Sequence, residues 1–243
     1  MYPNLAYLLI KPPFWLAVLF ALTTALTLFA FLMAVRQSMP KRVFPVLVGL
    51  LSWLFLVGLL ANQNFFLNLN ARPPRLPLAV GLPTLLILVL FISRSGRRFL
   101  DALSLPAITY LNGVRVLVEI VLYGLFIHHQ IPQLITFEGR NFDIIAGLTA
   151  PVMAYFSFNR PVLSTRWLLL WNVLALLLLA NVVTHAILSA PLPFQQLAFE
   201  QPNVAIFKFP FIWLPSFVVP TVLLGHLVAI RRLVMSQLKR TNN

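Results

Sequence analysis

The stretch PFWLAVLFALTTALTLFAFLMAV (13–35) decides the fold. It carries no charge over a length that covers the hydrocarbon layer of a bilayer, for which a helix needs about 20 mostly apolar residues. Six further apolar runs follow, near 43–61, 77–93, 106–128, 143–159, 167–190 and 210–230. All are continuous and dominated by Leu, whereas membrane strands alternate in segments of about ten residues. The pattern predicts an all-α, polytopic transmembrane helical bundle of about seven spans. The connections are too short for a separate fold, so residues 1–243 read as a single integral membrane domain.

Composition points the same way, since 60% apolar and 9% charged residues is far from the balance of soluble domains. The first run is too long for the apolar core of a cleaved signal and has no A-x-A site before a polar domain, so it reads as a span. With no cysteine in the chain, disulfides, thiolate chemistry and Cys-ligated zinc or iron–sulfur clusters are excluded.

The formal charge of +13 does not point to nucleic acid, because the basic residues sit in short clusters beside the apolar runs. Connections that share one side carry Arg36, Lys41, Arg42, Arg94, Arg97, Arg98, Arg160, Arg166, Arg231, Arg232, Lys239 and Arg240. The opposite side has only Lys11, Arg72, Arg75, Arg140 and Lys208. The positive-inside tendency then predicts a cell-membrane protein with its amino terminus outside and its carboxyl terminus cytoplasmic. The expected partner is the lipid bilayer, and the residues name no protein partner.

Five acidic residues make acid placement informative: Asp101, Glu119, Glu138, Asp143 and Glu200. Glu138 and Asp143 fall in FEGRNFD (137–143) and Glu200 in FEQPNVA (199–205), both expected on the outer side. The two segments share F-E-x-x-N, ending at Asn141 and Asn203, and each follows a Gln-Leu pair and a proline. This suggests a parallel repeat pairing the fourth and fifth spans with the sixth and seventh. Its second helices are proline-interrupted, by Pro151 in one and by Pro215 and Pro220 in the other, which frees backbone carbonyls inside the membrane. The alternative is a chance match with prolines that only kink packed helices.

Arg115 and Glu119 stand one turn apart in the fourth span, so they can pair on one face. A charge at the centre of a membrane helix costs about 2.5–3.5 kcal/mol, far more than one Leu offsets, so both should face the bundle. A structural pair, or an Arg115 that snorkels to the cytoplasmic edge, competes with a role in ligand or proton binding. Asn181 and His185 form a similar pair on the sixth span. His128, His129 and His185 are expected near the outer surface, whereas His226 lies about 24 Å below the start of its span. An outer zinc site from these histidines and a carboxylate is chemically possible, but no H-x-x-x-H or H-E-x-x-H motif supports it, and no metal or cofactor is expected.

Phosphate-loop, nucleophile-elbow and dinucleotide motifs are missing, and Lys208 sits only at the margin of the last span, which argues against a retinal protein. The region from Leu111 to Arg232, above all TFEGRNFDIIAGLTAP (136–151) and FEQPNVAIFKFPFIWLP (199–215), resembles an uncharacterised family of bacterial seven-helix membrane proteins. That resemblance implies no activity. The residues therefore lead to a binding or transport protein for a small molecule or ion, open to the noncytoplasmic side. Arg115, Glu119, Asn181 and His185 would line its interior. Glu138, Arg140, Asn141, Asp143, Glu200 and Asn203 would form its vestibule, the acids attracting a cation or amine and Arg140 pairing with Glu138, Asp143 or a ligand carboxylate. The competing readings are a membrane enzyme acting on a lipidic or envelope substrate, and a non-catalytic assembly subunit.

Overall fold

The computed structural model describes residues 3–69 and 71–241, with side chains up to Leu238; those of Lys239 and Arg240, counted above among the basic residues, lie outside the described residues. Among the described residues it is all helical, without strands. The principal elements are α1 (Phe14–Ser38), α2 (Val43–Asn62), α3 (Leu76–Ile92), α4 (Arg94–Ala102), α5 (Leu105–Leu111), α6 (Val114–Ile127), α7 (Asp143–Ala154), α8 (Thr165–Leu188) and α9 (Val219–Thr241).

Five helices among these residues are long and apolar enough to cross a membrane: Phe14–Ser38, Pro40–Asn62, Leu105–Ile127, Thr165–Leu188 and Leu214–Leu238. A sixth candidate is the pair α3 and α4, which meet at 95°. The run expected at 77–93 is thus a 17-residue helix, followed by a basic helix that turns sharply aside. That expected at 143–159 is a 12-residue α-helix, α7, extended by a π-helical turn, Tyr155–Asn159. Both fall short of the other five, so five helices, or six with the bent α3–α4 pair, have the length and apolarity of a span.

Large apolar side chains point away from the bundle, among them Phe14 at 83%, Phe44 at 74% and Phe55 at 71% exposure. Exposed apolar side chains in such number are rare on a soluble surface and fit helices long and apolar enough to cross a membrane. Polar side chains instead gather inside the bundle and at its two ends.

Contacts between connections define these ends. At one, Lys208 donates to the carbonyls of Tyr7 and Ile10 and to Gln130 Oε1, while Gln201 donates to the carbonyls of Phe126 and Ile131. This interlocks the amino-terminal segment with the α6–α7 and α8–α9 connections. At the other end, Arg231 holds Asp101 through two hydrogen bonds of 3.0 and 3.2 Å, Ser104 N–H donates to the Ala34 carbonyl, and Tyr110 donates to Asn159. The Asp101 pair fixes α4 against α9.

Local chemistry explains the breaks. Ser93 and Ser104 cap α4 and α5, accepting from the N–H groups of Gly96 and Ala107. Between α5 and α6 the Asn112 amide donates to the Ile108 carbonyl, competing with the backbone ladder just before Gly113. A π-helical turn follows Pro151, and another, Leu214–Val218, contains Pro215 and precedes Pro220. In both helices the proline lacks the N–H that would continue the regular ladder.

A candidate functional site at the centre of the bundle

The α6, α7 and α8 helices pack side by side, and α9 lies along α8. Small residues on α7 permit the approach: Ala146, Gly147, Ala150 and Ala154 are all buried. A Cβ on Gly147 would come within 2.9 Å of the Val116 backbone nitrogen and 3.1 Å of Arg115 Cβ. Close contact at Gly147 therefore brings the first turn of α7 to the level of Arg115.

Arg115 is 2% exposed, and all three of its guanidinium nitrogens have partners. Its Nε donates to Asp143 Oδ2 at 2.6 Å, and its Nη2 donates to Asp143 Oδ1 and, at 3.2 Å, to the Ala175 carbonyl of α8. Its Nη1 lies 3.0 Å from His226 Nε2. A guanidinium only donates, so His226 Nε2 must accept, and the ring proton sits on Nδ1. That proton is directed to Asn172 Oδ1 at 3.0 Å, while Asn172 Nδ2 donates to the Leu168 carbonyl. The donor inventory thus assigns a neutral His226 and links α6, α7, α8 and α9 through one chain of hydrogen bonds. Asp143 also sits in the first turn of α7, where the helix dipole favours a carboxylate.

Glu119, one turn further along α6, does not pair directly with Arg115. Its Oε1 accepts from Asn141 Nδ2 at 2.7 Å; Asn141 also donates to the Ile135 carbonyl and accepts the Asp143 N–H. Glu119 is 1% exposed, and its Oε2 has no hydrogen-bond partner. It borders a cavity of about 320 Å³ whose walls are otherwise chiefly apolar, with Val118, Leu122, Val182 and Ala186 among them. Asn203 lines the same cavity and is as buried as Glu119. Its amide nitrogen donates to the Ala186 carbonyl, leaving Oδ1 without a partner. Two oxygen acceptors therefore lack partners around one apolar cavity.

Of the ten residues singled out by sequence, Arg115, Glu119, Asn141 and Asp143 come together in the buried network, and Asn203 joins Glu119 at the cavity. Asn181 donates to the Arg140 carbonyl and so fastens the α6–α7 connection to α8, whereas His185 Nδ1 contacts the Asn181 carbonyl one turn back on its own helix. Glu138, Arg140 and Glu200 are exposed and lie outside the network. Arg140 contributes its backbone, while the ion-pair partner of Asp143 is Arg115. Among the described residues no three His, Cys, Asp or Glu side chains are grouped to hold a metal.

Two expectations are corrected. Asp143 is not displayed in an outer loop but buried, and Arg115 does not snorkel. Arg115 lies about 18 Å of helix before the end of α6, so the connection to Asp143 descends into the bundle before α7 begins. This descent also explains why His226 and Asn172 escaped the sequence reading. His226 reads in sequence only as a residue far below the outer histidines, whereas its partners are Arg115 and Asn172. The available signal was a lone Asn in WLLLWNVLALLLL (167–179) and a lone His in LLGHLVAI (223–230).

The two F-E-x-x-N segments behave alike in one respect. Each buries its Asn, whose amide donates to the preceding helix, and each exposes its Glu.

A family model described as a domain of unknown function, DUF8737, matches residues 73–234, more than half of the chain. The chain belongs to this family. The DUF8737 segment contains the entire Arg115 network, both unpartnered acceptors and helices α3 to α8, with α9 as far as Val234. The first two helices lie outside it, although Phe20 of α1 contributes to the cavity wall. No curated protein and no solved structure matches the chain.

Proposed function

We propose that this DUF8737 protein binds a small ligand with an apolar body and a hydrogen-bond-donating, preferably cationic amine head, and carries it through a cell membrane. The observation that carries the reading is that Glu119 and Asn203, which line one cavity, each bury a side-chain oxygen without a partner, Oε2 and Oδ1. An unsatisfied buried acceptor costs about 1–3 kcal/mol, more when charged, and a donor-bearing ligand recovers that free energy. A volume of about 320 Å³ lies at the lower end of ligand pockets, which suits a short alkylamine.

In this reading the Arg115 network is the scaffold that holds the floor of the site, not the ligand contact itself, because its guanidinium is directed to Asp143, the Ala175 carbonyl and His226. The exposed Glu138 and Glu200 concentrate cations at the entrance. The chain crosses a bacterial membrane seven times, with α3 and the α7 segment as short crossings. The connections bearing Glu138 and Glu200 then face the noncytoplasmic side, and the Arg-rich ones and the carboxyl terminus face the cytoplasm. The sorting of polar contacts to two ends and the asymmetry of basic residues support that arrangement.

Thermal unfolding of purified protein in nanodiscs, titrated with short n-alkylammonium ions and with matched n-alkyl carboxylates, tests the assignment. The amine should stabilise the wild type and the carboxylate should not. Glu119→Gln should weaken amine binding about 10- to 100-fold, in line with about 1.5–3 kcal/mol for a hydrogen bond to a charged group. Equal binding by wild type and E119Q, with unchanged unfolding in the absence of amine, would refute it. Uptake of the same amine into proteoliposomes separates transport from binding alone.

A further inference from the structure

A second cavity, of about 830 Å³, opens between α2, α3 and α9 and is closed at one end by α4. Three helix faces build it: Gly49 and Trp53 of α2, Leu86 and Leu90 of α3, and Thr221 and Leu224 of α9. Its walls are almost wholly apolar, but its α4 end is not. Arg42, exposed at the start of α2, lines it together with Ser93 and Ser95 around the start of α4. Arg94 and Arg98, also exposed, stand on the same short helix, and Lys41 is adjacent in sequence to Arg42.

We propose that this groove is a binding site for an anionic phospholipid, with an acyl chain between α2 and α3 and the phosphate beside Arg42. Charge complementarity selects this occupant. An apolar slot with a basic, hydroxyl-bearing end matches an acyl chain joined to a phosphate, whereas a zwitterionic lipid gains little from clustered arginines. The surroundings suit a lipid: within α2's apolar window only 17% of residues are buried inside the bundle, so this helix faces the solvent from which the ligand comes. The frame is also fixed, since Arg231 pins Asp101 and Arg97 donates to the Phe91 and Ile92 carbonyls, holding α4 at its angle to α3.

Gly49 supplies a clean test, because a Cβ there meets nothing within 4 Å and a larger side chain can fill the groove without displacing its walls. Native mass spectrometry of protein released from nanodiscs of equal phosphatidylglycerol and phosphatidylcholine is the measurement. Wild type should retain one phosphatidylglycerol with at least about fivefold preference over phosphatidylcholine. Arg42→Gln and Gly49→Leu should each lose that preference while keeping their unfolding midpoints, and soluble glycerol phosphate should not displace the lipid. Equal retention of both lipids, wild-type retention by either variant, or displacement by glycerol phosphate, which would mark a site for the free anion only, overturns the proposal.

Discussion

Asp143 and Arg115 hold each other inside an apolar bundle, and a buried pair of this kind is costlier to halve than to remove. Asp143→Ala leaves the guanidinium with His226 and a carbonyl as its remaining partners, and should lower stability by about 3–5 kcal/mol in denaturant titration. The double variant R115M/D143L should recover most of that loss. Equal damage from the single and double variants would mean that the pair is not the element holding α6 to α7. At this scale the sequence is informative because acids are scarce, which singles out Glu119 and Asp143, while Asn141 is marked by the F-E-x-x-N pattern. Their partners did not, since a side chain's depth depends on the path of the connection between helices, which hydropathy does not record.

The α7 helix shows where element-level reading succeeds and where it stops. Its apolar run and Pro151 were legible, and so was a disturbance of the helix nearby. That Asp143 begins it deep in the bundle was not, because the descending segment 133–142 is polar, like an ordinary surface loop. The small residues Ala146, Gly147, Ala150 and Ala154 are what let α7 approach its neighbours, as is usual where helices meet in lipid. Gly147→Leu should therefore destabilise the protein by about 1–3 kcal/mol or more through overpacking against Val116. Leu148→Ile, on an exposed position of the same helix, should change the unfolding midpoint little. The α4 helix was illegible for the opposite reason. Its three arginines read as loop charges, whereas its serine cap and its contacts to α9 make it a structured basic helix.

For the whole molecule, five apolar runs correspond to helices long enough to span a membrane, and α3 and the α7 segment are shorter helices. Ligand passage as proposed requires the two ends of the bundle to lie on opposite sides of a membrane, with the cavity beside Glu119 between them. The absence of cysteine makes this directly measurable with single-cysteine variants and an impermeant maleimide applied to intact cells. E138C and E200C should be labelled from outside, while S95C on α4 should be labelled only after the membrane is opened. Labelling of all three from the same side would contradict that arrangement.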